Sequence, residues 1–114
     1  RATIVASSEG GFISRALFPW GEPQNVEIYE VTVAPHYVEA FGGSSPGSKK
    51  TLVVIAGSLE ITVGEESPTR LSCGDTALFN GDATHSFFNP GEGDAKALLV
   101  ATAFEAANSR RRSF

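Results

Sequence analysis

The 114-residue sequence contains no methionine, one cysteine and two histidines. A lone thiol, Cys73, rules out a disulfide framework within the chain and fits a reducing compartment. No histidine or basic residue adjoins it, so it reads as a buried or inert thiol rather than a nucleophile. No apolar run approaches the roughly 18 residues of a membrane span, and no secretory leader is visible. The expectation is a cytoplasmic protein with no membrane contact. Glycine-rich phosphate loops, nucleophile elbows and paired-carboxylate arrangements are missing too. The net charge of -4 argues against a surface that grips nucleic acid. Arg110-Arg111-Arg112 is a local cationic run, which reads as a solvated tail. With no methionine, Arg1 in first place and β-rich sequence from Thr3-Ile4-Val5 onward, the chain is expected to be a piece of a longer protein.

What the chain does have is one short strand signal after another, separated by Gly, Pro, Asn and Asp. Residues 11–18 form a β-rich run that ends at Pro19-Trp20-Gly21-Glu22-Pro23. The run 26–33 has apolar residues at 26 and 28, then at 29, 31 and 33. That change of phase predicts a bulge or a strand passing between sheets. Residues 51–55 are apolar on both faces, as in a central buried strand. Gly57-Ser58 is a turn, 59–63 alternates cleanly, and 64–68 is a hairpin loop. Residues 76–79, 86–88 and 97–104 complete the strands, with a turn over 89–94. No helix is convincing, although 106–112 could fray as a last helical turn. Roughly eight strands with closely spaced turn signals predict a single all-β domain, a sandwich or small barrel over residues 1–105. Residues 106–114 are left as a C-terminal tail. The longest flexible loop is 42–48.

Between Gly74 and Asn89 the sequence resembles the second signature of the cupin superfamily: Gly, five residues, Pro, one residue, Gly, two residues, His, three residues, Asn. Gly74, His85 and Asn89 fall on the pattern. Asn80 and Asp82, both turn formers, hold the Pro and second Gly positions. The family's first signature supplies two His and a Glu that hold a metal together with that His, and it ends in a Gly seven residues after the Glu. Gly57 is that Gly here, so Lys50 stands at the Glu position. The two His positions fall among Gly43, Ser44 and Ser45. The resemblance implies a cupin double-stranded β-helix, or jelly-roll barrel, that has lost its metal and uses no cofactor. A metal at His85 would need His36 or Glu39 to fold back toward it. More narrowly, the chain is similar to the C-terminal sensor domain of bacterial regulators that carry an N-terminal helix-turn-helix. That similarity implies a metal-free small-molecule-binding sensor or dimerisation domain of a transcription regulator. It would be a homodimer pairing through strands among residues 3–33, and would reach DNA only through a domain outside this chain.

The resemblance places His85 in the barrel cavity, where its imidazole would donate or accept a hydrogen bond near neutral pH. The plain alternative is a histidine satisfied by a neighbouring carbonyl. Alternation puts Lys50, Leu52 and Val54 on one face of their strand, inward by resemblance, and Lys49 outward. An inward ammonium needs an anion, either Glu39 or the ligand, unless it snorkels to solvent. Phe87 shares the parity of His85, and Phe88 faces away. Phe79 or Tyr37 would stand near the mouth. His85, Lys50, Leu52, Val54, Phe87, Phe79 and Tyr37 are thus the expected ligand-binding residues, suited to a small and largely apolar molecule. Asp75 reads as a turn residue. The rival reading is a cupin enzyme, either a metal-dependent dioxygenase or isomerase, or an epimerase. The epimerase would need His85 oriented by a carboxylate, with Tyr29 or Tyr37 as the opposing acid. A third reading is a dimerisation barrel without a ligand.

Overall fold

A computed structural model describes residues 10–17, 26–43 and 46–102, together with the backbone of 4–6. The strands are β1 (Ile4–Ala6), β2 (Phe12–Ala16), β3 (Val26–Val33), β4 (Val38–Phe41), β5 (Lys49–Ala56), β6 (Ser58–Val63), β7 (Thr69–Ser72), β8 (Thr76–Asn80), β9 (His85–Phe88) and β10 (Ala95–Thr102). They form a six-stranded sheet in the order β1-β2-β3-β10-β5-β8 and a four-stranded sheet in the order β4-β9-β6-β7. All pairings are antiparallel. Among the described residues there is no helix, and none is long and apolar enough to cross a membrane. The expected helical turn at 106–112 and the tail lie outside the described residues, as do Phe18 and Trp20.

Period-two alternation builds the core. Val31 and Val33, Leu52 and Val54, Ala95 and Ala97, Leu59 and Phe87 are all 0% exposed, and they close the space between the sheets. β5 lies between β10 and β8, the central position its apolar run predicts. Its outer face is only half covered, with Ile55 41% exposed. β3 does not bulge as its phase change suggests. Its register runs unbroken from Ala95↔Val33 to Thr102↔Val26, so Val26 and Ile28 lie on the outer face. The irregularity is in β5 instead, where register slips between Lys96↔Ala56 and Ala97↔Val54. There Val54 also exchanges backbone hydrogen bonds with Asp75 (3.1 Å) and Gly74 (2.7 Å).

Turn chemistry fixes how the strands join. Gly57, between β5 and β6, has φ +73, and a Cβ there would meet Asp94 O and Ala95 Cα at 3.1 Å, so both conformation and space demand glycine. Asp75 does act as a turn residue, its Oδ2 accepting from Ser72 N at 2.8 Å. Asn89, 1% exposed, donates through Nδ2 to Val33 O (2.9 Å) and Gly93 O (2.8 Å) and accepts from Gly91 N (2.8 Å). It ties the end of β3 to the loop that opens β10. Cys73 is exposed rather than buried, and its Sγ lies 3.3 Å from Ile55 O as a weak donor.

Candidate functional site

Register places one row of side chains on the inner face of the larger sheet: Glu27 of β3, Ala101 of β10, Lys50 of β5 and Phe79 of β8. Opposite it, the smaller sheet contributes Phe41 of β4, His85 of β9 and Val63 of β6. Where the rows meet, the Lys50 ammonium approaches Nε2 of His85 at 3.4 Å. The other ring nitrogen, Nδ1, lies 2.9 Å from the carbonyl oxygen of Ala83. A carbonyl can only accept, so Nδ1 carries the proton and Nε2 turns its lone pair toward Lys50. The ring of Phe41 stacks on His85 at 5.1 Å and 23°, and Phe79 and Phe87 pack on it at 5.1 and 5.8 Å. Lys50 Nζ also sits 5.6 Å from the Phe41 ring centroid, a cation–π contact.

Burial sets the charge state of this pair. It lowers the imidazole below its ordinary value; the Ala83 hydrogen bond opposes this and the Lys50 charge reinforces it. His85 is therefore neutral near pH 7. Burial lowers Lys50 too, and the negative charge of Glu27 partly offsets it. The anion acting on Lys50 is thus Glu27, a residue the sequence reading did not single out.

Beside the pair opens a cleft of about 380 Å³, walled by Phe12, Tyr29, Phe41, Leu99 and Ala101, with Ser14, Glu27, Ser48, Lys50 and Thr102 as its polar lining. The Tyr29 hydroxyl donates to Glu27 Oε1 at 2.8 Å. Burial, this bond and the Glu27 charge push the phenol up to about 12. Ser48 is 4% exposed, and its buried Oγ has no hydrogen-bond partner among the described residues.

Lys50 and His85, expected in one cavity, approach at 3.4 Å; Lys50 lines the cleft, and His85 stands behind it and not in the lining. Leu52, Val54 and Phe87 are fully buried core side chains. Phe79 packs on His85 and borders a second cleft of about 570 Å³, between the loop after β6 and β8. Tyr37 is half-buried and packs over Gly11, where no Cβ would fit. His36 pairs at the surface with Glu92 Oε2 at 3.2 Å, and Glu39 stands opposite Phe87 on β4. Among the described residues no three His, Cys, Asp or Glu side chains converge on a point. An ammonium approaches His85 Nε2, the one family ligand that remains. The residues present do not fit a metal centre. Glu27 could have been found by extending the alternation of Val31 and Val33 back through Tyr29. Phe41 could not, because β4 left no strand signal.

A two-sheet antiparallel barrel with its site between the sheets at one end is the cupin architecture. The sequence pattern of the cupin domain matches residues 29–101, and the chain belongs to that family. It is similar to the cupin domain of an XRE family transcriptional regulator from Enterobacter cloacae, with 22% identity over 82% of this chain and 97% of that one and a TM-score of 0.76. It is also similar to an HTH_3 family transcriptional regulator from Vibrio cholerae, with 20% identity and a TM-score of 0.74, covering 82% of this chain and 52% of that one. A cupin-superfamily sugar phosphate isomerase from Silicibacter pomeroyi shares the fold as well, with 20% identity, coverage of 90% and 68%, and a TM-score of 0.68. No curated protein sequence matches the chain.

Proposed function

We propose that this chain is a metal-free sensor domain that binds a small molecule in the cleft beside Lys50 and His85, within a homodimeric, cytoplasmic transcription regulator. The observation that carries this reading is the 3.4 Å contact between Lys50 Nζ and His85 Nε2. It supports this reading because Lys50, whose ammonium approaches His85, also lines the apolar-walled cleft. A ligand that fits is small and largely apolar, and it offers an acidic or hydrogen-bonding group to Lys50. Signalling follows if the ligand binds one arrangement of the protein better than another, with DNA contacted through a separate domain. The enzymatic alternative is weaker because His85 is oriented by a backbone carbonyl rather than a carboxylate. Burial and the adjacent ammonium also make the imidazole a poor base.

Thermal-shift screening of small carboxylates, amino-acid derivatives and aromatics tests this. The expected result is stabilisation by at least one class, lost in Lys50→Gln. Stabilisation by none would leave a barrel that serves dimerisation alone.

A further inference from the structure

The cleft holds two opposite charges, and strand register sets their spacing. Glu27 and Lys50 are each the direct partner of Ala101, from β3 on one side of β10 and β5 on the other. Two strand spacings of about 4.8 Å put their Cα atoms roughly 10 Å apart, with only the Ala101 methyl between them. Each charge has its own neutral partner: the Tyr29 hydroxyl for Glu27 at 2.8 Å, and the His85 imidazole for Lys50 at 3.4 Å. The outer face of the same sheet behaves differently. There Arg15 and Glu30 stand directly opposite on adjacent strands and close an ion pair at 3.1 Å. On the inner face the interposed alanine keeps the two charges apart, on either side of a floor formed by Ala101 and Leu99.

We infer that the cleft takes a small zwitterion, an amino acid or a molecule that likewise carries one amine and one acid on a short apolar skeleton, its acid on Lys50 and its amine on Glu27. This rests on the proposal that the cleft is a ligand site. A ligand bearing only an acid would face the Glu27 carboxylate, and one bearing only an amine would face the Lys50 ammonium. Either leaves a like charge nearby, at the exposed Glu27 or at the half-buried Lys50. A zwitterion satisfies both. The cleft volume of about 380 Å³ lies at the small end of ligand sites, roughly 300–1,000 Å³. Ser48 lines the same cleft two residues before Lys50; its hydroxyl, buried against Gly81, has no hydrogen-bond partner among the described residues. On rotation it would give the acid a second donor.

Calorimetric titration of the 114-residue chain with matched probes tests the inference. One set is leucine, 4-methylpentanoate and 3-methylbutylamine; the other is 5-aminopentanoate, pentanoate and pentylamine. At least one zwitterion is expected to bind about tenfold or more tighter than both of its singly charged analogues, the loss expected when a charge-assisted hydrogen bond goes. Glu27→Gln should abolish the preference over the acid, because it weakens the zwitterion and relieves the acid of a like charge. Lys50→Gln should abolish the preference over the amine. Acids that bind as tightly as zwitterions, with Glu27→Gln indifferent to both, would overturn the zwitterion and leave the ligand-site reading standing. Binding by none of the probes also overturns it, and a wider thermal-shift screen that stayed silent would remove the ligand site with it.

Discussion

Lys50 and His85 meet across the two sheets, Nζ to Nε2 at 3.4 Å, with Phe41 stacked on the imidazole and lying beneath the ammonium. A cation approaches the lone pair that a metal would take in a metal-binding member of the family. Much of the chemistry expected of the domain follows from that substitution.

His85→Ala removes the partner that holds Lys50 and opens a cavity among Phe41, Phe79 and Phe87. It is expected to weaken any stabilising ligand by roughly 1 to 3 kcal/mol through Lys50, with a loss of stability beside it. Lys50→Met keeps an unbranched chain of similar length over Phe41 but removes the charge that lowers His85. The imidazole should then titrate at higher pH, which NMR of its ring protons would report. An unmoved titration would mean the two groups do not interact in solution.

The pH dependence has a definite sign. His85 is held below its ordinary 6.5 in the folded chain, chiefly by burial, so the unfolded chain takes up the proton first on acidification. Stability should be undiminished above about pH 6.5 and fall progressively below it, until the folded-state value is passed. Melting temperatures at pH 7.5 and 5.5 should differ more in the natural chain than in His85→Phe. Equal slopes would assign the acid sensitivity elsewhere.

Metal content is the third test. One histidine facing an ammonium cannot supply the several donors that a transition-metal site needs. Purified protein dialysed against zinc, iron, nickel or manganese is expected to hold far less than one ion per chain by elemental analysis. A stoichiometric ion bonded to His85 would overturn the metal-free reading.

Asn89 is structural. Asn89→Ala strips partners from the carbonyls of Val33 and Gly93 and from the amide of Gly91. Of these only the Val33 bond is fully buried, and a buried group left unsatisfied costs about 1–3 kcal/mol, so urea denaturation should show a loss of about 2 kcal/mol. A loss under 1 kcal/mol would show that the loop finds other partners.

Association is the fifth test. Among the described residues the six-stranded sheet has β1 as one edge strand. Exposed edges of this kind need covering. Light scattering is expected to report a two-fold dimer, pairing through strands among residues 3–33. A 12.0 kDa particle at tens of micromolar would count against it.

Short-range chemistry made part of this protein legible in its sequence. Alternation alone set Lys50, Leu52 and Val54 on one face and put Phe87 with His85, because side chains on a strand have a period of two whatever lies around them. Gly57 and Asp75 announced their turns through φ and a side-chain oxygen. The spacing of Gly74, His85 and Asn89 pointed to the barrel. β4 and β7 stayed hidden: Val38-Glu-Ala-Phe41 and Thr69-Arg-Leu-Ser72 are too short to show a period, and they become strands only by pairing with β9 and β6. The bulge beside Ile55, the Glu27–Ala101–Lys50 row and the approach of Lys50 to His85 were likewise decided by tertiary structure. Each depends on which residue of one strand stands opposite which residue of another, or on how one sheet faces the next. Residues far apart in the chain settle those relationships through non-local pairing, which no local pattern encodes.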